Sequence, residues 1–243
     1  MTIAWQQTGV ADTGTTSLSL AYPVTGLAAG DIFLLCVACK KAVYPSTPLG
    51  WTLITGAQGT NAGNGDGSVD QGYGRVSVYY KIAVGTESGS QAVTITSGNS
   101  AIGVIVRYRS TRPVLFAASV GADDTTGSNT WSTTGAQALD VKVGDVVVAV
   151  SAINTDAYTF SSEEPTIGAA TFAAVAERHD AGTNRGDDCA LVVSEHTVTG
   201  AGSSASPTFT MTSSGNGTNA PEGTTVLFRM QEALGRVQAQ ILG

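Results

Sequence analysis

The sequence predicts an all-β protein of two tandem, internally duplicated antiparallel β-sandwich units of jelly-roll type, followed by a short helical tail. Three observations predict it. Apolar residues alternate with a period of two along most of the chain. Clusters of Gly, Asn, Asp and Ser interrupt those runs at short intervals, as turns do in sandwiches. The same order of segments also occurs twice, with Gly30 and Gly144 standing 114 positions apart and Val78 and Val193 standing 115 apart.

Each copy opens on a Gly-Asp pair and an apolar run, "GDIFLLCV" from Gly30 and "GDVVVAV" from Gly144. A Gly-rich loop then leads to an alternating strand, "GRVSVYYKIAVG" in the first copy and "DDCALVVSEHTVTG" in the second. In the first of these, Val76, Val78, Tyr80, Ile82 and Val84 share a face opposite Arg75, Ser77, Tyr79 and Lys81, which predicts a half-buried strand. Thr-alternating strands follow ("QAVTITS", "SPTFTMTS"), and each copy closes on an apolar strand with arginine ("AIGVIVRYRS", "GTTVLFRM"). Pro113, which has no N–H to give to a sheet, marks the boundary. The expected organisation is therefore a first sandwich over 1–112, a second over 113–230 and a tail over 231–243.

Composition narrows the function. Charged residues make up 13% of the chain and hydrophobic ones 42%, with a net charge of −7. That charge opposes binding to nucleic acid or anionic membrane, so neither is expected as a partner. The opening "MTIAWQQTGV" lacks the basic and apolar regions of a signal peptide, and no apolar run reaches the length of a membrane helix. Cys36 and Cys39 have C-x-x-C spacing but lie in a strand, where an odd separation sends them to opposite faces. They and Cys189 are read as buried structural thiols.

At this point the residues carry a resemblance. The order "GLAAGDIFLLCV", "PLGWTLI", "VYYKIA", "IVRYRSTRPV", followed by a second Gly-Asp unit, resembles the Gly/Thr-rich two-unit β-sandwich proteins of tailed-bacteriophage virions. The second unit departs from the pattern, with "GAATFAAVAE" where "LGWTLITG" stands in the first, so a ligand-stacking role at Trp51 would not be repeated there. The resemblance implies a non-enzymatic structural protein, made in the host cytoplasm and located on the virion. It implies a capsid decoration or cement protein whose partners are the major capsid protein or other virion proteins. It also implies homo-oligomers, with trimers around local three-fold axes. The alternative is a tail-associated glycan- or receptor-binding sandwich, for which exposed Tyr44, Tyr73 or Tyr158 would serve as stacking platforms.

No catalytic constellation is read from the sequence. The acidic pairs Asp123-Asp124, Glu163-Glu164 and Asp187-Asp188 are expected to be solvated loop charges. His179 and His196 are the only histidines, and His196, in register opposite Leu191 and Val193, is expected to point outward. Nucleophile-elbow, zinc-protease and phosphate-loop motifs are lacking. In "NGDGSVDQG", Asn64, Asp66, Ser68 and Asp70 alternate like calcium ligands, but Val69 and Arg75 stand where an EF-hand needs Gly and Glu. A looser calcium site or a plain hairpin loop remains, and the loop is the expectation. No cofactor or metal is called.

The tail, "MQEALGRVQAQILG", switches to helical period. Met230, Leu234, Val237 and Ile241 recur at spacings of 4, 3 and 4, forming one apolar stripe assigned to partner binding.

Overall fold

The computed structural model describes residues 3–40, 43–60, 74–122, 130–154, 159–183, 188–214 and 222–233. Every regular element among them is a strand. The first half holds β1 (Ala4–Thr8), β2 (Asp12–Gly14), β3 (Ser17–Ala21), β4 (Ile32–Lys40), β5 (Thr52–Thr60), β6 (Gly74–Ile82), β7 (Ser90–Thr94) and β8 (Ser100–Arg109). The second holds β9 (Val114–Ala122), β10 (Thr130–Gly135), β11 (Leu139–Val141), β12 (Val146–Asn154), β13 (Phe160–Thr166), β14 (Thr171–Phe172), β15 (Ala176–Thr183), β16 (Cys189–Gly200), β17 (Gly202–Ser204), β18 (Thr208–Ser213) and β19 (Glu222–Glu232).

One large sheet runs β1-β8-β4-β6-β5, with β2 also on β8; the other contains β9-β19-β12-β16, with β15 and β14 both on β16. The stretch β9-β19-β12-β16 follows the chain in the same order as β1-β8-β4-β6, and the second sheet continues beyond β9 through β10 and β18 to β13. Each central strand, β4 and β12, is buried along its whole length, and each pairs antiparallel on both sides. A strand covered on both faces must be apolar at consecutive positions, which is why "IFLLCVAC" and "VVVAVSAI" lack alternation.

The entry to each central strand is built alike. Gly30 and Gly144 have φ of +89° and +91°, a left-handed conformation that glycine adopts without a Cβ penalty. Gly30 N–H donates to Ala83 O and Ala83 N–H to Asp31 O; Gly144 N–H donates to Val198 O and Val198 N–H to Asp145 O. Each aspartate side chain accepts from the N–H three residues before it, that of Ala28 or Lys142. Through these bonds Ala83 takes the place of Val198, Lys81 that of His196, and Tyr79 that of Ser194.

The two large sheets lie face to face. Their shared core combines Ile32, Leu34, Cys36, Val104 and Tyr108 from the first half with Val148, Val150, Leu191, Val193 and Phe228 from the second. A second core behind the first sheet contains Leu18, Leu20, Phe33, Leu35, Cys39 and Val93, under the β3-β7 hairpin. A third, behind the second sheet, places Trp131, Phe160, Phe209 and Met211 of β10, β13 and β18, with Leu139 and Val141 of β11, over Val147, Ala149 and Val192. β6 is accordingly not half-buried. Ser77 and Tyr79, expected on a wet face, are fully buried because the β3-β7 layer and its neighbours cover that side.

The closing strand β19 continues through Glu232. Met230 is a fully buried strand residue in the shared core, paired with Phe116 and Val146, so it belongs to a strand face rather than to a helical stripe. Leu234, Val237 and Ile241 lie outside the described residues.

Candidate functional site

The thiols fall as their spacing requires: Cys36 and Cys189 are in the shared core and Cys39 in the core behind the first sheet. All three are free and buried. Burial pushes Cys39 and Cys189 up to about 12 and Cys36 higher still, so no thiolate forms near neutral pH. Trp51 is equally inward. Its indole donates to Gln91 Oε1 at 2.9 Å and lies stacked on Tyr22 at 6.2 Å, so it offers no platform to a ligand. Arg75 covers the ring of Tyr44 at 4.3 Å, and Tyr73 and Tyr158 lie outside the described residues. So do the calcium-like loop with Asn64, Asp66, Ser68 and Asp70, and the acids Asp123, Asp124 and Asp187. Among the described residues no group of three or more His, Cys, Asp or Glu side chains could hold a metal ion.

Two sequence expectations fail at one place. His196 is 2% exposed, and Glu163 is 3% exposed. His196 does lie on the face of β16 opposite Leu191 and Val193, but that face packs against the third core layer instead of water. Its ring meets Phe172 and Phe209 edge-on, at 6.1 and 6.3 Å between centroids, and Ser194 Oγ lies 3.0 Å from its Nε2. Burial holds its pKa down to about 4, so the ring is neutral at pH 7. Asp188 is also buried rather than solvated.

Glu163 is turned inward by the backbone. β13 pairs with β18 at Ser161–Thr212 and Glu164–Thr210, with a register shift between them, and Ser162 adopts φ +58°. The extra residue of this bulge rotates Glu163 into the interior, a re-aiming that bulges commonly produce. Its Oε1 has no hydrogen-bond partner. Burial raises its pKa, its own backbone N–H opposes the rise, and the charge of Glu177 adds to it. Glu177 and Asp180 of β15 stand opposite Ser194 and Val192, hence on the same face of the sheet as His196. Asp180 Oδ2 accepts from Phe160 N–H at 2.7 Å. Burial raises the Asp180 pKa to about 6 against that bond, with help from Glu177 and Glu163.

Glu163 and His196 line a cavity of about 420 Å³, walled by Pro165, Phe172 and Val175. No sequence pattern announces it, because "SSEEPT" has no feature that fixes where the bulge falls.

The Gly-Asp turns form a second polar centre. Asp31 accepts from Arg109 Nε at 2.6 Å and Nη2 at 2.7 Å, with Arg107 Nε 3.6 Å away. Burial alone would raise its pKa, but the Arg109 bonds, the Ala28 N–H and the two arginine charges bring it below the ordinary value. By register, Gln231 stands in the second half where Arg109 stands in the first. Gln231 Nε2 reaches Asp145 Oδ2 at only 3.5 Å. Burial there prevails over the Lys142 N–H and the Arg229 charge, and the pKa of Asp145 rises.

Comparison of the chain with protein-family models, curated proteins and solved structures yields no match.

Proposed function

We propose that the protein is a non-enzymatic structural component of a tailed-phage virion, a decoration protein that arose by tandem duplication and attaches to the outside of the shell. The observation carrying this reading is an exposed apolar rim at one end of the molecule. Val84 and Val143, beside the two Gly-Asp turns, are each 67% exposed, Leu115 is 53% exposed and Ile82 is 49% exposed. Isolated apolar residues on a surface are unremarkable, but here Ile82 and Leu115 each line a cavity. One, of about 590 Å³, is lined by Ile82, Tyr80, Pro113 and Val114; the other, of about 340 Å³, by Leu115, Lys142, Gln231 and Ala233. Ala233 is held beside this rim by its N–H to Pro113 O. The rim is the attachment surface, the apolar stripe read from the tail sequence (Leu234, Val237, Ile241) is assigned to the same role, and the matched Gly-Asp turns support the duplication.

Co-sedimentation with purified phage shells tests the reading. Full-length protein pellets with the shells, whereas a chain ending at Ala233, which spares β19, melts as before and stays in the supernatant. Undiminished binding by the truncated chain would overturn the attachment role of the segment, and failure of the full chain to bind shells would overturn the reading itself.

A further inference from the structure

The cavity behind the second sheet is lined by Glu163, Phe172 and His196, and the first half carries different residues at matching strand positions nearby. At the places taken by Phe33 and Tyr79 in the first half, the register puts Val147 and Ser194 in the second. Phe33 and Tyr79 are fully buried, and Tyr79 donates to Pro45 O at 2.8 Å. Where the first half has Lys81, the second has the neutral imidazole of His196. The second half thus has a neutral imidazole where the first has a cation, with an inward carboxylate beside it.

Buried carboxylates are normally paired. Glu163 is 3% exposed, its Oε1 has no donor, and it lines the cavity together with His196. Glu177 and Asp180 add negative charge on the same side, while none of the described lining residues is Lys or Arg. The one arginine on β15, Arg178, is engaged by Glu195 at 3.0 Å and by the Trp5 ring at 4.4 Å. Pro165, Phe172 and Val175 supply an apolar part of the wall, beside the polar Ser162, Glu164 and Thr171. Such a site asks for a positive charge on an apolar stem. Among the described residues these acids do not converge into a three-ligand set, so the site is read for an organic cation.

We propose that this cavity binds an alkylammonium group, with Glu163 as its anionic partner, the ring of Phe172 along its stem and His196 as a neutral hydrogen-bonding wall. The ammonium is that of a small amine or of a lysine side chain on another polypeptide. This site is independent of shell attachment, and its failure would leave that reading untouched.

Titration calorimetry with n-pentylamine, Nα-acetyl-L-lysine amide and the neutral control n-pentanol tests the proposal on the full chain. Saturable 1:1 binding of either amine, with no binding of the alcohol, is the expected result. Tighter binding of the lysine derivative assigns the site to a polypeptide side chain, and tighter binding of pentylamine assigns it to a small amine. Glu163→Gln should weaken amine binding roughly tenfold or more while melting no lower than the natural protein, because the carboxylate it removes is buried without a compensating cation. Phe172→Ala should also weaken binding. Amine binding that survives Glu163→Gln, equal binding of the alcohol, or no amine binding at all would overturn the proposal.

Discussion

Replacing Arg109 with Gln would give the first Gly-Asp turn the chemistry of the second. Asp31 is 1% exposed and loses its bidentate partner, but Arg107 stays 3.6 Å away and the Ala28 N–H still donates. Removing one member of a buried pair costs about 3–5 kcal/mol, and an exposed pair is worth at most about 1 kcal/mol. The Arg109 side chain is 41% exposed, so solvent screening places the loss between those limits, at about 2 kcal/mol. For a chain of this size that lowers Tm by about 4–8 °C, read by calorimetry at pH 7. The loss should depend on pH in a fixed direction. Asp31 titrates below its ordinary value of 3.8 in the folded protein, so its ion pair stabilises fully above that pH and less as the pH falls through the folded pKa. The gap between natural and Arg109→Gln protein should therefore be constant above about pH 5 and close on acidification. A gap under about 1 °C at pH 7, or one that widens in acid, would refute the assignment of stability to this pair.

The reciprocal change, Gln231→Arg, should raise Tm slightly by giving Asp145 a charged partner; a lower Tm would show that the cavity beside Leu115 does not admit the guanidinium. Asp180→Asn should match the natural protein near pH 4 and exceed it in stability above pH 6, because a carboxyl held near 6 when folded makes stability fall as pH rises from 3.8 through 6; parallel pH–Tm curves would contradict this. The opposite slope belongs to His179 and His196, both held near pH 4 by burial, which favour the folded state above 6.5 and lose that contribution between 6.5 and 4; replacing either with Gln should flatten the curve in that window. Phe228→Ala, in the core common to both sheets, should cost about 3–5 kcal/mol and lower a single calorimetric transition, whereas two separated transitions would mean that the halves unfold independently. Cys36, Cys39 and Cys189 should resist a thiol reagent in the native protein and react in denaturant, and prompt native labelling would place a thiol at the surface.

The all-β class was readable because period-two alternation and turn clusters are local properties of the chain. The opposite facing of Cys36 and Cys39 followed from the same period. The matching entries at Gly30 and Gly144 were readable because a left-handed turn before a buried strand leaves a Gly-Asp signature. Alternation states which residues share a face; it does not state what lies beyond that face. His196 was assigned to the correct side of its strand, and that side is dry because β10, β13 and β18 fold over it. Ser77 and Tyr79 are buried for the same reason, under another layer. Met230 has helical spacing to Leu234 and strand spacing to Phe228, and pairing with Val146 and Phe116 decided in favour of the strand. Glu163 depends on one register shift against β18, set by how the two strands meet and not by the residues on either side. Sequence thus determined the strands, their faces and the equivalent turns, whereas layering and register, which arise only when distant segments pack, decided which polar groups were enclosed.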